Sequence, residues 1–384
     1  MEATNHIEKT SQHTIPEGWR EFSLGELGEV KMCKRVMKYQ TLASGEIPFY
    51  KIGTFGGTPD AYISRDLFTV FRSRFSYPKK GDILLSAAGT IGRTVVFDGE
   101  DSYFQDSNIV WIDNKEDKVL NSLLYYCYKV MKFHTENGGI VVRLYNENLR
   151  NTTFCAPESL EEQKRIAEAL TAVDNMIATL DEAIAKKRQI KDGLMQQLLT
   201  GKIRLPGFCG EWVERRLDSF EIVNGSMLKS SEYETGNVPV IAGGQTPAGF
   251  HSKANRPANT ITISGSGAYA GFVSFHTVPI FASDCSTINN PKNADIIYLY
   301  FCLLSKQKEI YKCQAGGAQP HVHAKDIKDI TIMMPASVEE QKAISGVLTK
   351  SDDEIKGIEA QRDKYSLIKQ GMMQELLTGK TRLI

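Results

Sequence analysis

The strongest constraint on this chain is that it spells one long helix twice. Residues 159–205, SLEEQKRIAEALTAVDNMIATLDEAIAKKRQIKDGLMQQLLTGKIRL, return as residues 337–383, SVEEQKAISGVLTKSDDEIKGIEAQRDKYSLIKQGMMQELLTGKTRL. Glu161 falls on Glu339, a shift of 178 (339 − 161), and no gap is needed to the end of the repeat. About half the paired positions are identical, more than two unrelated helices of like composition share. Each copy carries its own punctuation. Ser159 with Glu162, and Ser337 with Glu340, spell capping boxes, and Gly201 and Gly379 sit where a helix ends in the left-handed region.

Between those signals the apolar residues keep the alternating four-three spacing of a coiled-coil seam. In the first copy they are Ile166, Leu170, Val173, Ile177, Leu180 and Ile184, with a slip after Lys187 and a resumption at Ile190, Leu194 and Leu198. In the second copy the pairing positions are Ile344, Leu348, Ile355, Ile358 and Ile368. At 1.5 Å per residue each helix is on the order of 60 Å long, too long for an ordinary globular helix. Two similar seams in one chain pack most simply on each other, antiparallel, as a rod.

The remaining sequence is duplicated too. Trp19 in GWREFSLGELGEV matches Trp212 in EWVERRLDSFEIV, a shift of 193, so the first block carries about 15 extra residues before the register settles. From residue 81 onward the shift is 178. GDILLSAAGTIGRTVVF then lies over NTITISGSGAYAGFVSF, with Ser86 on Ser264, Gly89 on Gly267, Phe97 on Phe275 and Asp106 on Asp284. NGGI at 137–140 falls on AGGA at 315–318. Residues 82–86, 94–97, 259–264 and 272–275 read as strands, and 120–133 and 295–311 as helices. The fold class is α+β: two mixed α/β domains alternating with two long helices, a pseudo-two-fold built by duplication. The divisions fall at 1–17 (a loose tail), 18–157, 158–204, 205–335 and 336–384.

Several chemistries find no support. Formal net charge is zero across 384 residues, so any nucleic-acid surface must be local. Seven cysteines without C-x-x-C spacing suit reduced core thiols in a cytoplasmic protein better than a disulfide or zinc framework. The polar start MEATNHIEKTSQHT has no hydrophobic leader, and no apolar run reaches membrane length. The string Leu377-Thr378-Gly379-Lys380-Thr381 imitates a phosphate loop, but Gln374 stands where its first glycine belongs and a helix precedes it. A DNA aminomethyltransferase would show Asn/Asp-Pro-Pro-aromatic; the nearest string is Asn290-Pro291-Lys292. Asp326-Ile327-Lys328 is too common a triplet to argue a nuclease. His321-Val322-His323 fits three readings: a metal pair, polar contact to a ligand, or a plain strand end. No catalytic constellation, cofactor motif or metal set emerges.

Two variable blocks alternating with near-repeat helices that begin S-x-E-E-Q-K and end L-L-T-G-K resemble the specificity subunits of type I restriction–modification systems. GDILLSAAGTIG, residues 81–92, is the most specific piece outside the helices. The resemblance implies two target-recognition domains, each reading half of a split, asymmetric site in double-stranded DNA. It implies a helical ruler that docks two methylation subunits, which supply S-adenosylmethionine and the chemistry, with a restriction–translocation subunit as an optional further partner. The chain itself is then not an enzyme. The alternatives are a coiled-coil scaffold with duplicated protein-binding domains and, more remotely, a self-sufficient DNA-modifying enzyme.

Within that frame the internal alignment separates scaffold from readers. Matched residues such as Ser86/Ser264, Gly89/Gly267 and Asp106/Asp284 hold the fold. Unmatched polar residues on the same loops are candidates for base contact. They are Thr90, Ile91 and Arg93 against Ser266, Ala268, Tyr269 and Gly271, and Arg143, Tyr145 and Asn148 against Gln319, His321 and His323. Lys51, Arg72, Arg74, Lys79 and Lys80 in the first block, and Lys253, Arg256, Lys325 and Lys328 in the second, are candidates for phosphate contact.

Overall fold

The computed structural model describes residues 15–133, 143–229, 231, 236–317 and 319–384. The expected tail up to residue 14, and the NGGI segment at 137–140, lie outside the described residues. The chain forms two compact units: Met1–Thr179 with Arg362–Ile384, and Leu180–Gln361.

The first unit holds a four-stranded antiparallel sheet in the order Val30–Met32, Ile109–Ile112, Ile83–Ser86, Thr94–Val96. A three-stranded sheet joins Tyr62–Ile63, Ile47–Tyr50 and Tyr103–Phe104, and Trp19–Ser23 pairs with Thr153–Pro157. The two central strands are wholly buried because both faces are covered. Ile83, Leu85, Val110 and Ile112 enter the core shared with the Asn121–Val130 helix. Leu84, Ile109 and Trp111, one residue out of phase, enter the core shared with the three-stranded sheet.

The second unit repeats all three sheets: Val223–Asn224, Cys285–Ile288, Thr260–Ser264, Val273–His276; then Gly249–His251, Val238–Ile241, Phe281–Ala282; then Trp212–Arg216 with Thr331–Pro335. Most of the offset near the start of the duplication is the Arg65–Arg74 helix, ten residues capped by Ser64. Its flanking strands, Tyr62–Ile63 and Ile83–Ser86, match Gly249–His251 and Thr260–Ser264, which only residues 252–259 separate. The apolar run at 295–311 is two helices, Ile296–Ser305 and Gln307–Lys312.

The ladders also correct the sequence register. Leu84 and Thr262 occupy equivalent rungs at a shift of 178, but Val96 and Phe275 share the next strand's rung at 179. Ile109 and Cys285 share one at 176. Phe97 is therefore not the counterpart of Phe275. Nor is Asp106 that of Asp284: Ala87 N donates to the Asn108 carbonyl as Gly265 N donates to the Asp284 carbonyl, which equates Asn108 with Asp284.

Both long helices contain 39 residues, Leu160–Leu198 and Val338–Leu376, and they pair antiparallel. In the first unit Glu162 pairs with Arg382 and Asp174 with Lys369, so numbers fall on one helix as they rise on the other. In the second unit Arg204 pairs with Glu340, Lys191 with Asp352 and Lys187 with Glu354 in the same sense. Each helix start is nailed by a buried glutamine. Gln163 Nε2 donates to the Pro157 carbonyl and Gln341 Nε2 to that of Pro335, both at 2.8 Å.

The capping boxes form only half-way. Ser159 Oγ accepts from Glu162 N, and Ser337 Oγ from Glu340 N, at 3.3 Å. The two glutamates are diverted to arginines instead: Arg382 Nε and a terminal nitrogen reach Glu162 at 2.6 and 2.8 Å, and Arg204 reaches Glu340 at 2.6 and 2.7 Å. A carboxylate buried this deeply gains more from a bidentate guanidinium than from one backbone N–H. Gly201 and Gly379 end the helical runs at φ +69° and +70°, where an added Cβ would press on Trp212 and Trp19 respectively.

Along the expected seam Ile166, Leu170, Ile184, Ile344, Leu348 and Ile355 are buried, and Val173, Ile177, Leu180 and Ile358 half-buried. Ile368 and Ile190 depart from it, at 40% and 48% exposed. After the slip the covered face has rotated by one residue, to Lys191, Leu194, Met195 and Leu198 and to Lys369, Met372, Met373 and Leu376. Among the described residues no helix is long and apolar enough to cross a membrane.

Candidate nucleic-acid interface

In each unit a strand-turn-strand of the four-stranded sheet places one turn beside three other loops. In the first unit the turn at 87–93 is closed from within. Ser86 Oγ donates to the Thr90 carbonyl at 2.5 Å and accepts from Arg93 N at 2.9 Å. Gly89 and Gly92, at φ +66° and +87°, make the reversal that residues with Cβ resist. Ala88 bridges Arg143, and Tyr145 begins the short Asn146–Arg150 helix. The loop after Ile47–Tyr50 closes the site: Arg93 donates to the Phe55 carbonyl at 3.0 Å, and Gln105 Oε1 accepts from Ile52 N at 2.9 Å.

The second unit uses the same parts. Gly271 N donates to the Ser264 carbonyl at 2.7 Å, as Gly92 N does to that of Ser86 at 3.1 Å. Ser266 bridges His321, Gly267 N donates to the Pro320 carbonyl at 3.0 Å, and His323 begins the Ala324–Ile327 helix. The His321 and His323 rings lie parallel with centroids 6.0 Å apart. Among the described residues no group of three or more His, Cys, Asp or Glu is placed to hold a metal ion.

Thr90, Arg93, Arg143 and Tyr145 thus share one loop cluster, and Ser266, Tyr269, Gln319, His321 and His323 the other. Most are exposed; Ser266 and His321 are half-buried. Two pairings shift. The turn at 265–271 holds one residue more than its counterpart at 87–92, so Gly92 matches Gly271. Arg93 then matches Phe272, because the Arg93 and Phe272 carbonyls accept from Ser86 N and Ser264 N, both at 2.9 Å. Asn148, Lys325 and Lys328 follow on the short helices or just past them, and Lys51 starts the adjoining loop, paired with Asp60 at 2.9 Å.

The other cations sit elsewhere. Lys79 and Lys80 precede Ile83–Ser86, and Lys253 and Arg256 precede Thr260–Ser264, at the ends of those strands away from the turns. Arg72 and Lys79 are committed to Asp101 at 2.8 Å and Asp113 at 3.3 Å. Arg256 is spent on the fold, donating to Thr287 Oγ1, Asn255 O and Asn224 O at 2.7–2.8 Å. Arg74 ends the Arg65–Arg74 helix, exposed. Charge in a sequence does not reveal which carboxylate answers it. Reasoning from sequence also passed over Gln105, Gln245 and Thr246, which lie in the loops around the turns. The signal was their position just after paired strands, Gln105 after Tyr103–Phe104 and Gln245 and Thr246 after Val238–Ile241, and only the parallel pairing shows that these strands belong to the same sheet in each unit.

The thiols do not suggest chemistry. All seven cysteines are free, and burial pushes Cys33, Cys127, Cys285 and Cys302 up to about 12, keeping them protonated at neutral pH.

Two copies of one α+β unit, each presenting an irregular loop cluster from the edge of a four-stranded sheet, define a duplicated two-unit protein. Two stretches, 16–191 and 210–364, match the family model of the type I restriction modification DNA specificity domain. The chain belongs to that family. A protein of Haemophilus influenzae named as a type I restriction enzyme specificity subunit is 55% identical over 170 residues, 44% of each chain. The chain thus spans less than half of that relative. The MjaX specificity subunit of Methanocaldococcus jannaschii is 23% identical over 98% of this chain and 97% of its own. The crystal structure of a type I restriction–modification S subunit from M. genitalium shares the fold, with TM-score 0.67 and 17% identity over 96% of this chain and 98% of that one.

Proposed function

We propose that this chain is the DNA sequence-specificity subunit of a type I restriction–modification methyltransferase complex. In this reading the blocks at 18–157 and 205–335 each read half of a bipartite, asymmetric site in double-stranded DNA. The helices at 158–204 and 336–384 set the separation and dock two methylation subunits, and a restriction subunit joins where cleavage is needed. The chain itself is non-catalytic and works in the cytoplasm.

One observation carries the reading: equivalent turns, held by equivalent backbone bonds, present unlike side chains. Whatever groove one turn meets, the other meets at the second half-site, and unlike chemistry there reads unlike bases. Arg143 against His321 and Tyr145 against His323 are the clearest contrasts. A scaffold that binds one protein twice has no need for them.

The test is binding of the complex, assembled with its methylation partner, to oligonucleotides varied one half-site at a time at two salt concentrations. Arg143→Ala should relax preference in one half-site, and His321→Ala in the other. Uniform loss across both halves would mark these residues as phosphate contacts. Salt-insensitive association with no sequence preference would favour the scaffold.

A further inference from the structure

The corrected register exposes a difference between the units that the sequence conceals. Asp284, which a gapless alignment pairs with Asp106, shares its rung with Asn108. Its surroundings differ in a coordinated way. In the second unit Ser266 Oγ donates to Asp284 Oδ2. The carboxylate fits because residue 265 is glycine: a Cβ there would lie 2.5 Å from Asp284 Oδ1. A second glycine lies against Ser266 itself, since a Cβ on Gly243 would lie 2.4 Å from the Ser266 carbonyl oxygen. The equivalent positions in the first unit are Ala87, Ala88 and Asn108. No hydroxyl is present there, and Asn108 Oδ1 is buried without a hydrogen-bond partner among the described residues.

A serine hydroxyl ordinarily both donates and accepts, and so distinguishes poorly between base edges. Here its single proton is committed to the carboxylate. The oxygen of this half-buried serine can then only accept. In the major groove the donors are the amino groups of cytosine N4 and adenine N6. Resting on the function proposed above, we infer that Asp284 is a positioning residue for specificity, fixing Ser266 as an acceptor that selects an amino-bearing base in the second half-site. The first unit lacks this device, and the asymmetry of the site originates partly here.

The experiment uses the full chain in complex with its methylation partner, and oligonucleotides carrying each base at every position of both half-sites. Ser266→Ala and Asp284→Asn should each lower discrimination about tenfold at the same single base pair of the second half-site, with the first half-site unchanged. The double variant should lose no more than either single one. Asp284→Asn nearly conserves volume, and its amide can donate to Ser266, freeing the hydroxyl proton; preference should then shift toward an acceptor-bearing base. If the wild-type complex prefers no sequence, the proposed function fails. If it does but neither variant changes preference at one base pair, or both weaken all sequences equally, the inference is overturned and the pair is structural. Should Asp284→Asn fail to fold, Ser266→Ala decides alone, since it removes only the hydroxyl of a half-buried residue.

Discussion

Replacing Arg382 with Ala should destabilise the first unit by about 3 kcal/mol. Glu162 is 4% exposed in its side chain, and its carboxylate is gripped by two nitrogens of Arg382. Removing one partner of a buried pair costs about 3–5 kcal/mol, because the other charge stays desolvated and unpaired. Arg382, 26% exposed, admits some water, which favours the lower end. With a urea dependence of roughly 2 kcal/mol/M the midpoint should fall by about 1.5 M. Tryptophan fluorescence reads it directly, since the Arg382 guanidinium lies 5.9 Å from the Trp19 ring. The paired change Glu162→Gln with Arg382→Met should recover most of the loss. The effect should also depend on pH with a definite sign. The hydrogen bond from Arg382 holds the Glu162 pKa below its ordinary 4.5. The stability it contributes is complete above 4.5 and lost as pH falls through the lower, folded value. The gap between wild type and Arg382→Ala should therefore close in that acid window. A variant within about 0.5 kcal/mol of wild type at pH 7, or a double variant no better than the single, would refute the reasoning.

Further outcomes follow from the same geometry. Gly201→Ala should cost about 1–2 kcal/mol in urea unfolding, because Gly201 has φ +69° and its Cβ would lie 3.2 Å from the Trp212 ring. Gly193→Ala, inside the helix with open space around it, should instead stabilise by up to about 1 kcal/mol. Ile190 and Ile368 are exposed, identical and equivalent in the two helices; replacing either with Asp should weaken capture of a methylation subunit while moving the unfolding free energy by less than about 0.5 kcal/mol. Purified free of its partners, the chain should show neither S-adenosylmethionine binding by calorimetry nor methyl transfer to DNA, and turnover by such a preparation would contradict its assignment as a recognition subunit.

The duplication and the helices were legible because their signals are local and repeated. Ser159, Gln163, Gly201 and Arg204 recur with their spacing intact, each serving a contact that its counterpart also makes. The partner of Glu162 was not legible, since a cap and a distant arginine make the same demand on a glutamate. Register inside the blocks failed for a different reason. One residue added in the turn and three removed before Cys285 take the shift to 176, and two regained beyond that strand return it to 178 by Leu144 and Val322. A gapless alignment passes over such compensating changes, and so Asp106 and Arg93 were given the wrong partners. Apolar period alone likewise placed Ile190 and Ile368 on the seam, whereas the slip after Lys187 turned them outward.

The most direct test of the central claim is to map methylated bases genome-wide in cells expressing this chain with its methylation partner, before and after exchanging residues 205–335 for the corresponding block of a relative. The account predicts methylation within two unlike half-sites at fixed spacing, and an exchange that changes one half-site while leaving the other half and the spacing intact. A single continuous motif, or an exchange that alters both halves together, would contradict it.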